Sequence, residues 1–232
     1  MAKVLTLILA IFLSSISYCR CCSCTFTHPQ EAYCNSDFVI LARVKKEQTL
    51  ESSMSKVYKV RVRKEFKISL KGLVALKSGK IHTPLDDSMC GSNLEIGKLY
   101  VISGGIHSLR AHFNQCNMIM EWNNVTRRQR KGLKLLYNRT CNDCKIKNCY
   151  FHWCNNARES DACIWRNHCQ TENGICMRQN NGSCMWNKNK QLRGCQAEEL
   201  VHNHSRSHPI SQRNTSITEQ NGFNRLRQIL DP

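Results

Sequence analysis

The sequence predicts a mainly β fold, with a small closed barrel and associated helices in the first part and a small disulfide-rich module in the second. Three observations indicate this. Residues 56–66 alternate in polarity, two further runs at 37–44 and 98–106 are rich in β-branched and aromatic residues, and nine of the sixteen cysteines fall between Cys141 and Cys195. Short strands with glycine turns are typical of barrels and sandwiches.

The clearest strand signal is an alternation of apolar and basic residues, Tyr58-Lys59-Val60-Arg61-Val62-Arg63. Because successive side chains of a strand point to opposite faces, the apolar residues share one face and the basic residues the other. The run therefore predicts an antiparallel strand with one buried face and one cationic face. A further strand is predicted within 112–122, and a helix over 127–138, where Leu133, Leu136 and Tyr137 form an apolar stripe.

The second part, residues 141–197, is dense in cysteine and poor in long apolar runs. Such a module is held by disulfides more than by a large core. Residues 198–232 are polar and are expected to form a flexible tail.

Residues 1–21 have the layout of a secretory signal peptide, with Lys3, an apolar run at 4–13 and the small residues Ser14, Ser15 and Ser17. We therefore expect a secreted, extracellular protein with no membrane-spanning segment. The many cysteines then indicate disulfides. Five sequons are candidate glycosylation sites: Asn124, Asn138, Asn181, Asn203 and Asn214.

The formal net charge is +17, and residues 22–140 alone carry 20 basic and 9 acidic side chains. In an exported protein, the expected partner of this positive charge is a sulfated glycosaminoglycan or a cell surface, not nucleic acid. Lys59, Arg61 and Arg63 are the candidate heparin-binding residues. A basic surface that only confers solubility is about equally compatible with the composition.

Two other readings of the chemistry have little support. Cys141-x-x-Cys144 has the spacing of half a zinc ribbon, but disulfide-bonded cysteines cannot supply the thiolates that zinc needs. Histidines in the tail, His202, His204 and His208, could bind a metal, although a solvated polar segment is the more common role. There is no HExxH, P-loop or nucleophile elbow, so we expect no enzyme.

The stretch CSCTFTHPQEAYCNSDFVILARV at 22–44 closely resembles the start of the mature tissue inhibitors of metalloproteinases. The shared pieces include Cys22-x-Cys24, His28-Pro29-Gln30 and Cys34-Asn35, and the similarity continues through the cysteine pattern to about residue 190. The resemblance implies a five-stranded OB-fold (netrin-like) barrel over 22–140 and a disulfide-rich C-terminal domain over 141–197.

The family pattern also implies disulfide pairs. Six of them follow the family: Cys22–Cys90, Cys24–Cys116, Cys34–Cys141, Cys144–Cys184, Cys149–Cys154 and Cys163–Cys176. Cys169–Cys195 is an extra pair by elimination, and Cys19 and Cys21 would leave with a signal peptide cleaved before Cys22.

The resemblance implies a mechanism as well. In this family the α-amino nitrogen and carbonyl oxygen of the first residue, here Cys22, chelate the catalytic zinc of the target protease. Ser23 would enter the pocket beyond the scissile position. The implied contact residues are Cys22, Ser23, Cys24, Thr25, Phe26, Ser88, Met89 and Cys90. The protein needs no cofactor of its own, its partners are matrix metalloproteinases and related zinc endopeptidases, and we expect a monomer.

Two departures from the family stand out. Phe26 and Thr27 replace a proline-containing pair, so the N-terminal segment is expected to be less stiff. Leu41 stands where a basic residue is usual, and this is expected to be a surface change.

A different class of function stays open at this point. Netrin-like matrix-binding or signalling modules share the barrel but carry residues before the first cysteine and do not chelate zinc. Cleavage after Ser17 is as compatible with the leader as cleavage before Cys22, and it would leave Tyr18 at the N-terminus. The position of cleavage therefore discriminates between the two functions.

Overall fold

The computed structural model describes residues 22–150, 154 and 159–207, with the backbone alone for 202–207. The expected signal peptide, Cys19, Cys21, Asn214 and most of the expected tail lie outside this range. The chain divides into two compact units, residues 1–192 and 193–232. Among the described helices, none is both long and apolar enough to cross a bilayer.

The first unit is built around a closed sheet. Its strands are β1 (Phe38–Leu50), β2 (Ser55–Ile68), β3 (Lys80–Pro84), β4 (Leu99–His107), β5 (Arg110–His112) and β6 (Ile119–Glu121). The order β1-β2-β3-β5-β4 returns to β1, because β4 also pairs with β1, and β6 adds to β4. Five strands thus close the expected barrel, with β3 and β5 the parallel pair.

The strand β1 has no exposed face in its first half, which explains its continuous apolar run. Phe38, Ile40 and Ala42 face the barrel core. Val39 and Leu41 face a second apolar cluster on the other side of the sheet. The expectation that Leu41 is a surface change is wrong, because its side chain is 8% exposed and packs in this second cluster.

The strand β2 has the predicted alternation. Tyr58 and Val60 are buried and Val62 is half-buried, whereas Lys59, Arg61 and Arg63 are exposed. The strand expected within 112–122 is shorter than predicted, since only β6 and the last residue of β5, His112, are extended there. The Asn117 side chain accepts from the Asn114 backbone N–H, and the Asn114 side chain accepts from that of Cys116. These bonds hold the intervening residues in a turn.

Helices cover the second apolar cluster. They are α1 (Pro29–Cys34), α3 (Arg127–Lys131) and α4 (Tyr137–Thr140), while α2 (Leu70–Leu76) packs at the barrel. The expected helix over 127–138 is present but interrupted by a π-helical turn at Gly132–Leu136. A side chain at Gly132 would meet the buried Tyr137 ring at 2.4 Å, so this close approach requires glycine.

The cysteine-rich segment consists of small elements: β7 (Lys145–Asn148), β8 (Ala162–Trp165), α5 (His168–Asn173), β9 (Cys176–Arg178) and β10 (Cys184–Trp186). Cys163, Cys176 and Cys184 form its own buried cluster. Both sides of the expected boundary at Cys141 fall within the first compact unit. The two-domain division therefore stays a prediction.

The last described element is α6 (Lys190–Ser207). It includes the first ten residues of the segment that we expected to be a flexible tail. Good helix formers, Ala197, Glu198, Glu199 and Leu200, account for the helix locally.

Candidate functional site

Two disulfides anchor the N-terminal end of the described chain on two loops of the barrel. Cys22 is bonded to Cys90 and Cys24 to Cys116, each with a Cα–Cα distance of 5.0 Å. The Sγ atoms of Cys22 and Cys24 lie 3.8 Å apart, and those of Cys90 and Cys116 lie 3.9 Å apart. Four sulfur atoms therefore form one compact cluster beneath the segment.

The residues around this cluster are accessible. Ser23, Cys24 and Thr25 are exposed and Cys22 is half-buried. Beside them, Asp87–Met89 forms a single 3-10 turn that exposes Ser88 and Met89. We call the surface formed by residues 22–26 and 88–90 the ridge. These are the eight contact residues that the resemblance implies, and their contact with a protease stays a prediction.

The loop that contributes Met89 is held by its backbone. Cys90 ends the 3-10 turn in the left-handed region, with φ at 63°. Its carbonyl oxygen accepts a 2.9 Å hydrogen bond from the Gln115 N–H, and the Gly91 N–H donates to Asp86 O. The Cys90 loop and the Cys116 loop are thus joined by a hydrogen bond as well as through the disulfides.

Phe26 ends the ridge and packs on the cysteine-rich segment. Its ring stacks on that of Trp165, with centroids 4.8 Å apart, and meets Tyr150 edge-on at 5.3 Å. Its carbonyl oxygen accepts a 2.7 Å hydrogen bond from Asn148 Nδ2. Phe26 remains 47% exposed. It belongs to the pair that replaces the family's proline-containing pair, and ring stacking and the hydrogen bond from Asn148 hold it in place.

The motif His28-Pro29-Gln30 has a structural role that the sequence did not reveal. The Gln30 amide nitrogen donates to Cys176 O at 2.8 Å and to Thr140 Oγ1 at 2.9 Å, and its oxygen accepts from the Cys176 N–H at 2.9 Å. Gln30 is 2% exposed. The buried Gln30 side chain therefore uses its amide nitrogen and its oxygen in hydrogen bonds, and two of the three bonds are with the backbone of Cys176 in β9.

His28 is held in one neutral tautomer. Its Nδ1 accepts a hydrogen bond from the Gln30 N–H, and this bond caps the N-terminus of α1. Because Nδ1 is the acceptor, Nε2 carries the proton, and it donates to Gln170 O at 3.0 Å. The side chain is fully buried, and burial lowers its pKa from 6.5 to about 4. Trp165 and Trp186 lie against the ring, with centroids 5.3 and 5.1 Å away.

The remaining disulfides account for the other cysteine motifs. Cys34–Cys141, Cys144–Cys184, Cys149–Cys154 and Cys163–Cys176 are bonded, the pairs that the resemblance implies. Because Cys141 and Cys144 are both oxidised, the half zinc ribbon at this position has no thiolates to offer. Cys169–Cys195 has one member in each compact unit and stays a prediction.

The basic residues form a row across three strands. Lys46 on β1 is the register partner of Lys59 on β2, and Lys59 is also that of Lys80 on β3. Arg43 and Arg61 are partners in the same way. Like charges directly opposite each other are unfavourable. We call these five residues, together with Arg63, the basic row.

Three of the candidate glycosylation sites, Asn124, Asn138 and Asn181, are exposed. Asn203 lies in α6 where only the backbone is described. Glycosylation at all five sequons stays a prediction.

Comparison with known proteins identifies the family. The family model described as "Tissue inhibitor of metalloproteinase" matches residues 20–186, and the chain belongs to this family. Its members are inhibitors and not enzymes, which confirms the expectation that this chain is not an enzyme.

Relatives in several animals support the assignment. "Metalloproteinase inhibitor 3" of Xenopus laevis is 34% identical over 196 residues, which cover 78% of this chain and 90% of that protein. The protein of the same name from Scyliorhinus torazame is 33% identical, covering 78% and 88%. The "Tissue inhibitor of metalloproteinase" of Drosophila melanogaster is 31% identical, covering 75% and 85%.

Proposed function

We propose that this chain is a secreted inhibitor of zinc metalloproteinases, and that the ridge is the surface that enters the protease cleft. The observation that carries the proposal is the double anchoring of Cys22 and Cys24 with Ser23 exposed between them. Membership of a family of metalloproteinase inhibitors supports the same conclusion. The enzymes concerned are matrix metalloproteinases and related zinc endopeptidases.

The chemistry follows from an α-amino group at Cys22. A catalytic zinc keeps one position open for the water that attacks the peptide bond. The amino nitrogen and carbonyl oxygen of Cys22 chelate that zinc and displace the water. An α-amino group has a pKa of about 8, so a substantial fraction is neutral and able to coordinate at physiological pH.

The disulfides supply the preorganisation that this contact needs. A free chain end loses conformational entropy when it binds, and that loss weakens affinity. Two crosslinks on alternate residues restrict the segment before it meets the enzyme. Ser23 then enters the pocket beyond the scissile site, Thr25 and Phe26 follow along the cleft, and Ser88 and Met89 contact its other side.

N-terminal sequencing of the secreted protein, with the intact mass after deglycosylation, tests the proposal first. We expect a start at Cys22 and stoichiometric inhibition of a matrix metalloproteinase catalytic domain. A matched variant with one alanine added before Cys22 keeps every disulfide but loses the chelating amine, and it should lose inhibition. A start at Tyr18, or equal inhibition by the extended variant, would exclude the mechanism.

The basic row favours a second candidate function, the binding of sulfated glycosaminoglycans in the extracellular matrix. Pairs of like charges in register across neighbouring strands are relieved by a polyanion. This function is compatible with protease inhibition. Glycosaminoglycan binding without protease inhibition corresponds to the netrin-like alternative. A mature N-terminus at Tyr18 would favour that alternative.

A further inference from the structure

Three histidines from three neighbouring strands of the barrel lie close together, and none of them belongs to the ridge or to the basic row. His82 on β3 and His112 on β5 are Cα partners in the parallel pair. His112 is also the partner of Gly105 on β4, and His107 lies two residues further along that strand, on the same face. The ring centroids of His82 and His112 are 5.3 Å apart, and those of His107 and His112 are 5.7 Å apart.

Gly105 makes room for this cluster. A Cβ atom at that position would lie 3.4 Å from His107 Nε2, so the His107 imidazole leans over the glycine toward His112. The same Cβ would lie 3.7 Å from Asp37 Oδ2, which accepts a 2.8 Å hydrogen bond from the Ile106 N–H. A carboxylate oxygen therefore borders the space beside the His107 ring.

An open cavity of about 500 Å³ adjoins the cluster and is lined by His107, His112, Asn114 and Asn117, among others. Its lining supplies imidazole and amide groups, and the exposed His107 gives access from solvent. The cavity thus offers space for an ion, access from solvent and nitrogen ligands.

We propose that His82, His107 and His112 form a binding site for a divalent transition-metal ion such as Zn²⁺. Three imidazoles are a common ligand set for such ions, with solvent or a carboxylate in the fourth position. As the rings stand, the nitrogens of the three histidines are not gathered around one point, so binding requires the His82 and His107 rings to rotate toward the central His112. The carboxylate of Asp37, which lies beside Gly105, would complete or support the set.

The charges around the site act in both directions. Partial burial, helped by the cations Arg110 and Lys80, lowers the pKa of His82, and burial together with His82, His107 and Arg110 lowers that of His112. Neutral imidazole is the form that binds metal. The same cations oppose a divalent ion, while Asp37 favours it, so we expect moderate affinity.

A metal at this position would join β3, β4 and β5. A turn begins at Asn114, two residues beyond His112, and the Asn114 side chain positions Cys116 by accepting a hydrogen bond from its N–H. The ion would therefore stabilise the end of the barrel from which one anchor of the ridge departs. This role is separate from the zinc of the target enzyme and does not depend on the proposed inhibition.

Calorimetric titration of the full secreted chain with ZnCl₂, after treatment with a chelator, tests the proposal. All samples carry alanine at His202, His204 and His208, so that the tail cannot contribute. We expect one bound ion. His107→Ala and His112→Ala should each weaken binding at least tenfold, because even the loss of an outer-shell partner costs about 10–100-fold in metal affinity.

The matched control is His168→Ala, which removes an exposed histidine outside the cluster and should leave zinc affinity unchanged. Imidazole resonances of the unsubstituted cluster provide a second readout that needs no variant to fold. Those of His82, His107 and His112 should shift together at one equivalent of ZnCl₂. Unshifted cluster resonances, or equal affinity in the His107→Ala protein, would overturn the proposal.

Discussion

Ser23 presents a small exposed hydroxyl between two anchored cysteines, and we propose that it enters an enclosed pocket of the protease. We expect Ser23→Arg to weaken inhibition at least about 100-fold, which corresponds to about 2.7 kcal/mol, since a long charged side chain would lose its hydration there. The measurement is the inhibition constant for a matrix metalloproteinase catalytic domain. Folding should be unaffected because Ser23 is exposed.

Ser160→Arg is the matched control for this variant, because it adds the same charge at an exposed position of the cysteine-rich segment. It should inhibit like the unsubstituted protein. If Ser23→Arg inhibits equally well, Ser23 does not enter the pocket and the proposed binding mode is wrong.

Phe26 joins the ridge to the cysteine-rich segment through the stacked ring of Trp165. We expect Phe26→Ala to lower the free energy of unfolding by about 1 kcal/mol beyond the lost apolar area, the usual worth of an aromatic pair. It should also weaken inhibition, since the end of the ridge would become more mobile. Urea unfolding and inhibition assays measure the two effects.

Phe26→Leu separates stacking from simple burial, because leucine keeps apolar volume without a ring. Its stability should fall between those of Phe26→Ala and the unsubstituted protein. Equal stability and inhibition in all three would show that the stacking contributes nothing.

At the scale of elements, β2 has two faces with different roles. Tyr58 and Val60 complete the barrel core, while Lys59, Arg61 and Arg63 belong to the basic row. We expect Arg61→Glu/Arg63→Glu to lower the salt concentration at which the protein elutes from heparin, because fewer cations meet the polyanion. Stability should change little at these exposed positions.

Lys188→Glu/Lys190→Glu is the charge-matched control, since both lysines are exposed outside the basic row. It has the same net charge as the β2 variant and should elute near the unsubstituted protein. If both variants elute at the same salt concentration, net charge alone governs retention and the basic row is not a specific site.

At the scale of the whole molecule, the contacts of His28 and Gln30 extend across the predicted boundary at Cys141. His28 bonds to Gln170 and Gln30 to Cys176, and Ile175 packs in the same apolar cluster as Tyr33 and Tyr137. The disulfide Cys34–Cys141 spans the boundary as well. We therefore expect residues 22–140 and 141–192 to unfold together.

His28 makes the stability of this assembly depend on pH. Its pKa is about 4 in the folded chain and 6.5 as the ordinary value, so between these pH values the unfolded chain binds a proton that the folded chain does not. The free energy of unfolding is therefore not reduced by His28 above about pH 6.5, and it falls as the pH drops toward 4. The loss from this residue is about 2 kcal/mol at pH 5 and about 3 kcal/mol below pH 4.

Urea unfolding at about pH 7.5 and about pH 5 measures this loss. His28→Asn keeps a cap and a donor but does not titrate, so its stability should fall less between the two pH values. His82 and His112, whose pKa values are also lowered, contribute equally in both proteins and cancel in the comparison. An identical pH dependence in the two proteins would contradict the assignment.

The sequence by itself determined what depends on local pattern. The alternation at 56–66 predicted the two faces of β2, and the apolar stripe predicted a helix over 127–138, although not its π-helical turn. The resemblance in the cysteine pattern implied the six disulfide pairs that the structure shows. The protease-contact roles of the ridge residues come from the same resemblance and stay a prediction. These features need only neighbouring residues or a shared pattern of cysteines.

Only the tertiary structure decided which distant residues meet. The buried Leu41, the stacking of Phe26 on Trp165, the hydrogen bonds of His28 and Gln30, and the cluster of His82, His107 and His112 all join residues far apart in the chain. The physical reason is that strand register and packing bring such residues together, and the periodicity of one segment carries no information about its partner.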